Sequence, residues 1–375
     1  MEDSDKFTIN NIFFASSCLS GSKFKSKEII MIALVKTKKG IGCMELRDVP
    51  VPEYSDNEVL IEIKAAGVCG TDIHIKRDEF IYWPPVILGH EFAGEITEVG
   101  KNVKVWKIGD RVVGEPHTKV CGVCMYCRTG NIQLCSDKRS PGWGIDGACA
   151  KYLKFPAYLL HRIPDSVSFE EAALTEPCAC IVHAIFERGY IDVQDFAVVI
   201  GAGPIGLMAA MALKNNGAKS VMLLGTTRDE EYRLSVARKL GLDYVINVEK
   251  ENPVELTKNL TNGFGADLVV ECAGSEKGIQ TAVDLIRKKG RITTLGLTAK
   301  EMVAFPWNKA ILKETDVNFS FSVGYTSFER SLSLIASKKV NVQPLISHKE
   351  PLENWEKVFD DMENLRGIKA LLLPE

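Results

Sequence analysis

The chain has 375 residues, enough for two or three domains and a large buried core. Its 46 basic and 49 acidic residues leave a net charge of −3, which excludes the strong positive field expected of a partner for nucleic acid or an anionic membrane. No run approaches the ~20 uninterrupted apolar residues that span a bilayer, so the expected address is the cytoplasm.

Residues 1–30 mix Ser16, Ser17, Ser20, Ser22 and Ser26 with Lys23, Lys25 and Lys27, and show no period. Phe13-Phe14-Ala15 is too short for the apolar core of a secretory signal, so this stretch reads as a flexible appendage, with the folded unit opening at Met31. From Met31 to about Ile163, short apolar runs at 59–63, 92–99 and 111–114 alternate with Gly and Pro, the pattern of a β-rich domain with tight turns. From about Ala179 the rhythm changes to strand, glycine turn and amphipathic helix. Six runs read as strands, at 196–200, 220–224, 244–246, 267–271, 291–295 and 316–321, with helices at 231–240 and 278–288 among them. That alternation predicts an α/β fold with a doubly wound parallel sheet covered on both faces. A helix at 327–337, a last helix at 352–365 and a strand at 370–373 either extend this sheet or return to the first domain.

Cys121, Cys124, Cys127 and Cys135 form a C-x2-C-x2-C-x7-C run. Short spacers let four thiolates converge on one tetrahedral zinc, and four protein ligands close the site to substrate, so its role is structural. The competing reading, disulfide pairing, belongs to oxidising compartments, whereas a chain with no recognisable secretory signal is expected to stay reduced, where clustered cysteines more often bind metal.

Cys69 and the pair His90-Glu91 lie about twenty residues apart in the β-rich half. Cysteine, histidine and carboxylate are competent zinc ligands, and three of them with a place left for water or substrate make a catalytic site. Glu176, in Leu174-Thr175-Glu176-Pro177, either caps the following helix or joins that zinc directly or through its water.

Gly201-Ala202-Gly203-Pro204-Ile205-Gly206 has the form G-x-G-x-x-G between a strand and a helical run, the turn that seats the pyrophosphate of a dinucleotide on a helix N-terminus. The acid that holds an adenosine ribose 2′-hydroxyl is missing from the end of the second strand. Thr226, Thr227 and Arg228 stand there instead, with Arg233 one turn on. An arginine beside hydroxyls tilts the choice from NAD toward NADP, while Asp229 or Glu230 remain alternative ribose partners and Arg228 also reads as a solvated helix start.

Gly67-Val68-Cys69-Gly70-Thr71-Asp72-Ile73-His74, Gly89-His90-Glu91, Gly109-Asp110-Arg111-Val112, the four-cysteine run, Glu176-Pro177 and Gly201–Gly206 together resemble the zinc-dependent medium-chain dehydrogenases, the alcohol and polyol dehydrogenase superfamily, over roughly residues 31–373. The resemblance implies a GroES-like β-rich catalytic domain at 31–180 with the zinc lobe at 121–135, a Rossmann domain at 181–317, and a segment 318–375 that completes the first domain. It also implies Cys69, His90 and Glu91 as catalytic zinc ligands, Glu176 as a nearby or exchanging ligand, and Thr71 followed by His74 as a proton relay. An acid around Glu176 in place of a third sulfur ligand resembles the sorbitol, xylitol and threonine branch. Ser322-Val323-Gly324 stands where polyol enzymes tend to carry a substrate-binding arginine. The implied reaction is reversible oxidation of a secondary alcohol to a ketone with hydride transfer to NAD(P), in a homodimer or homotetramer. L-Threonine 3-dehydrogenase is the rival enzyme, and a non-catalytic NAD(P)-binding sensor is the rival of another class.

Overall fold

The computed structural model describes residues 30–298 and 300–375; the appendage expected at the N-terminus falls outside them, apart from Ile30. Eight strands precede residue 163: β1 (Ile30–Lys36), β2 (Met44–Pro50), β3 (Glu58–Gly67), β4 (Val86–Ile87), β5 (Glu91–Val99), β6 (Arg111–Gly114), β7 (Tyr152–Pro156) and β8 (Leu160–Arg162). β3 is the axis of this half, pairing antiparallel with β5 and with β7. Its apolar residues Val59, Ile61 and Ile63 are buried, as are Phe92 and Ile96 of β5.

The second half contains β9 (Phe196–Ile200), β10 (Ser220–Gly225), β11 (Tyr244–Asn247), β12 (Ala266–Glu271), β13 (Ile286–Thr294) and β14 (Asp316–Phe319). They form one parallel sheet in the order β11-β10-β9-β12-β13-β14. Every residue of β9 is buried because both faces are covered. Ala197 and Val199 join one core with Met208 and Leu213 of the helix Pro204–Asn215, while Phe196, Val198 and Ile200 join another with Ala282 and Val283 of the helix Glu276–Leu285. The chain order reverses between β9 and β12, so a crevice opens at the carboxyl ends of these two strands, where doubly wound folds bind ligands.

All six expected strands are present, but the helix expected at 278–288 is shorter. It ends at Leu285, and Ile286 pairs with Ala266 as the first residue of β13. Ile286 is 1% exposed, so sheet pairing and burial outweigh the helical pattern that Arg287, Lys288 and Lys289 imitate.

Two further strands close the chain, β15 (Ile346–Pro351) and β16 (Lys369–Leu373). β16 runs antiparallel to β3, with Leu371 opposite Gly67, and so lies in the first sheet, ordered β15-β16-β3-β5-β6-β8. Trp355, Val358 and Phe359 of the last helix pack into the core beneath that sheet.

Candidate active site

The β3–β5 register sets Gly67 opposite Glu91. Cys69, two residues beyond β3, caps the helix Gly70–Lys76, and His90 immediately precedes β5. The strand pairing therefore brings together residues that are distant in sequence: one ligand atom from each of Cys69, His90 and Glu91 lies within 4.8 Å of the others. His90 and Glu91 are buried, whereas Cys69 is partly open. A sulfur, a nitrogen and an oxygen donor at this spacing suit zinc. Asp72 Oδ1 and His90 Nδ1 are buried without hydrogen-bond partners among the described residues, 4.0 Å apart. Burial works against a charged His90, yet Cys69 and Asp72 hold its pKa well above the ordinary imidazole range. A field that draws a proton so strongly also draws a metal cation.

Glu91 is fixed from behind. Its Oε2 forms an ion pair with Lys369, the first residue of β16, and Lys369 Nζ also donates to the Val68 carbonyl at 2.9 Å. A Cβ on Gly67 would collide with the Glu91 carboxylate, which is why glycine stands there. Glu176 lies in the first turn of the helix Thr175–Val182, outside the converging triad. Burial pushes its carboxyl up to about 7, with His90 pulling it down and Glu91 pushing it up. Thr71 Oγ1 is 3.7 Å from Cys69 Sγ, and His74, on the same helix, pairs through Nδ1 with Glu79 Oε2 at 3.0 Å. Among the described residues no hydrogen bond links Thr71 to His74.

The four lobe cysteines also converge within 4.8 Å. The backbone N–H groups of Cys121, Cys124 and Cys127 donate to the sulfurs of Cys135, Cys121 and Cys124 at 3.3–3.5 Å, an arrangement that favours thiolates. Cys121 and Cys127 sulfurs are 3.9 Å apart, close to the ~3.8 Å edge of a tetrahedron with ~2.3 Å Zn–S bonds. None of the ten described cysteines is in a disulfide.

At the carboxyl end of β9 the three glycines differ in their surroundings. Gly201 has φ +104°, where a side chain would be strained, and a Cβ on Gly206 would strike the Gly201 carbonyl. Gly203 has nothing within 4 Å of a would-be Cβ. It is the N-cap of the helix Pro204–Asn215 with no side-chain capping bond, so open space meets free N–H groups and the positive end of a helix dipole. That cradle fits a dinucleotide pyrophosphate.

At the ribose end, Asp229 is buried and already accepts from the Thr226 amide and hydroxyl, both at 2.9 Å, and from Arg233 at 3.1 Å. Glu230 is held by Arg238 and Asn247. Neither acid is free for a ribose. Arg233 also donates to the Gly367 carbonyl, so its guanidinium is tied to the protein through two partners. Arg228 and Thr227 remain exposed. Sequence reasoning passed over three polar residues near these sites: Lys369, Lys138 and Glu249, the last accepting from the Thr227 amide at 3.1 Å. A lysine opening the apolar strand 369–373 is a signal that was readable in the chain; the other two lie on loops whose paths are set only by tertiary structure.

Residues 55–165 match the alcohol dehydrogenase GroES-like domain and residues 204–337 match the zinc-binding dehydrogenase family. The chain is 40% identical to the sorbitol dehydrogenase of Halalkalibacterium halodurans over 344 residues, covering 92% of this chain and 99% of that protein. It is 35% identical to the D-arabitol-phosphate dehydrogenase of Enterococcus avium, covering 91% and 97%. Among solved structures, a zinc-binding dehydrogenase from Sinorhizobium meliloti bound to NADP superposes with a TM-score of 0.85 at 28% identity, covering 92% of this chain and all of that one. The two domain matches, the full-length relatives and the pairing of a three-donor cluster with a dinucleotide turn agree: the chain belongs to the zinc-dependent medium-chain dehydrogenases and is an NAD(P)-dependent alcohol dehydrogenase of that family.

Proposed function

We propose that the protein reversibly oxidises a secondary hydroxyl of a polyol to a ketone, the hydride passing to the nicotinamide and the proton to solvent. The observation that carries this reading is the convergence of Cys69, His90 and Glu91 in a chain whose β9 turn offers a pyrophosphate cradle. Names among the relatives, sorbitol and D-arabitol-phosphate dehydrogenase, favour a polyol. Cys69, His90 and Glu91 would hold one zinc and the four lobe cysteines a second, structural one. When bound, the first supplies the Lewis acidity that lowers the pKa of a hydroxyl. The rest falls to the chain's own residues. Lys369 neutralises and orients Glu91. In the proton relay Thr71 would accept the hydroxyl proton while releasing its own, which His74, partly exposed and paired with Glu79, would pass to solvent through an intervening water, since the two side chains are not directly hydrogen-bonded. Glu176, whose carboxyl is raised by burial and feels the charges of His90 and Glu91, is the competing acceptor and the candidate exchanging ligand.

For the cofactor we favour NADP. Arg228 is exposed, and the acids beside it are engaged elsewhere. Glu249 is the counterweight, because a carboxylate on the Thr227 amide repels a 2′-phosphate. Arg228→Ala is expected to weaken NADP binding about tenfold more than NAD binding, and Glu249→Gln to strengthen NADP. Equal losses for both cofactors in the first variant would contradict the assignment.

No helix among the described residues is long and apolar enough to cross a membrane. A cytoplasmic address keeps the lobe thiols reduced. β14 is an edge strand of the second sheet, and Met302, Trp307, Leu312 and Phe319 near it are 69–84% exposed, which favours a homodimer or homotetramer; light scattering of the purified protein tests this.

The direct test is nicotinamide reduction, followed by absorbance, with both cofactors and a panel of sugar alcohols, simple secondary alcohols and L-threonine. Turnover of a polyol is the expected result. A zinc-loaded protein that turns over none of them would be a non-catalytic nucleotide binder.

A further inference from the structure

Lys138 follows the last lobe cysteine by three residues and is only 8% exposed. No carboxylate oxygen of the described residues lies within 4.0 Å of its Nζ. Its neighbours are instead the faces of two aromatic rings, Phe321 at 4.7 Å and Trp143 at 5.6 Å. Burial pushes its ammonium down to about 8, with Glu176 and Cys180 pulling the other way, so it remains largely cationic at neutral pH. A buried cation with no counter-ion is costly unless something else supplies one.

The loop that follows is fastened to the segment 87–89 that leads into His90 and β5. Gly147, Ala148 and Cys149 donate to the carbonyls of Ile87, Gly89 and Leu88, and Gly142 and Gly147 pack so tightly on Gly89 that neither has room for a side chain. Gly142, four residues after Lys138, is thereby held against Gly89, which precedes His90, and the charges of Lys138 and Glu176 act on each other. Arg139 adds a second cation with no carboxylate partner among the described residues, stacked 3.6 Å from the Trp83 ring and donating to the Lys138 carbonyl at 2.8 Å. Trp83 in turn stacks on Trp143.

His117, which feels the charge of Lys138, and its chain neighbour Thr118 add two neutral polar groups. His117 donates from Nε2 to the Val323 carbonyl at 2.9 Å, which leaves its buried Nδ1 as an acceptor without a partner, and the hydroxyl of Thr118 is likewise buried and unpaired. Burial, together with the charge of Lys138, pushes His117 down to about 3, so it stays neutral. An unpaired cation, aromatic faces and orphaned hydrogen-bonding groups match a molecule that is anionic at one end and hydroxylated along its length.

We propose that the substrate is an anionic alcohol, foremost a polyol phosphomonoester, and that Lys138 is the cation that binds its anionic group beside the metal cluster. The inference rests on the alcohol dehydrogenase reading above and sharpens its substrate class. A carboxylate is the other source of the same charge, and L-threonine carries one.

Matched substrate pairs test this on the zinc-loaded, full-length protein: D-sorbitol against D-sorbitol 6-phosphate, and 1-amino-2-propanol against L-threonine. The wild type is expected to show kcat/KM at least tenfold higher for the charged member of one pair, and which pair distinguishes phosphate from carboxylate. In Lys138→Met that ratio should fall at least tenfold, and Lys138→Arg should restore part of it. Inorganic phosphate, followed by quenching of tryptophan fluorescence, should bind the wild type and bind Lys138→Met at least tenfold more weakly, a readout independent of turnover. Two zinc ions per chain in the variant would confirm that it folds. Turnover of the neutral members without preference for the charged ones, or an equal loss on both members in Lys138→Met, would overturn the proposal and leave the dehydrogenase reading intact. Absence of nicotinamide reduction with all four compounds, together with undiminished phosphate binding by Lys138→Met, would overturn both.

Discussion

Single residues in this protein have separable tasks, and the glycines of the nucleotide turn show it most clearly. Gly206 is forced by packing, since a Cβ would strike the Gly201 carbonyl; Gly203 faces open space and is required only when a cofactor arrives. Gly206→Ala is therefore predicted to lower the melting temperature, by an overpacking cost of about 1–3 kcal/mol. Gly203→Ala should leave the melting temperature of the free protein nearly unchanged and weaken cofactor binding about tenfold or more, measured by fluorescence titration. If Gly203→Ala melted early and bound normally, the two tasks would have been assigned the wrong way round. The metal-site residues were legible at this scale because thiolate, imidazole and carboxylate are chemically distinctive types and the lobe spacing is rarely accidental. Lys369 and Lys138 were not, because a lysine acquires meaning only from its surroundings, and both are buried by segments distant in sequence.

Elements were legible where periodicity was strong. All six strands of the parallel sheet were readable from apolar runs bounded by glycine, whereas the 285/286 boundary was missed because Arg287-Lys288-Lys289 continues a helical pattern that the pairing of Ile286 with Ala266 interrupts. The contact between β8 and the helix Tyr325–Ala336 was invisible in sequence. There His161, with its side chain fully buried, bonds Glu115 at 3.1 Å through Nε2 and Glu329 at 2.5 Å through Nδ1, and its ring stacks on Phe328. Burial lowers the pKa of His161, but the two carboxylates outweigh it and the net shift is upward. A raised folded pKa contributes stability that is fully present below the unfolded value of ~6.5 and is lost as pH rises through the folded one. Glu329 is half exposed, so its share is about 1 kcal/mol. Glu329→Gln is expected to lower the melting temperature at pH 6 by a few degrees and to have little effect at pH 9, read by thermal scanning at both values. An equal loss at both would show that protonation of His161 plays no part.

At the scale of the whole molecule, the last strand returns to the first. β16 pairs with β3 and thereby delivers Lys369 onto Glu91, so a metal-cluster residue from the first half of the chain is held by a cation from its last strand. The residues alone left that return open, because an apolar run at 370–373 fits either sheet, and only the family resemblance implied that segment 318–375 completes the first domain; β16 pairs with β3 in the first sheet. The central claim is that two distinct zinc sites exist, one closed by four thiolates and one formed by Cys69, His90 and Glu91 in the β-rich half of the chain. The most direct measurement is zinc stoichiometry by elemental analysis, made on the wild type and on Cys69→Ser with circular dichroism to establish folding. The account predicts close to two zinc ions per chain in the wild type and close to one in the folded variant, with nicotinamide reduction abolished. One zinc in both, with activity retained, would contradict it.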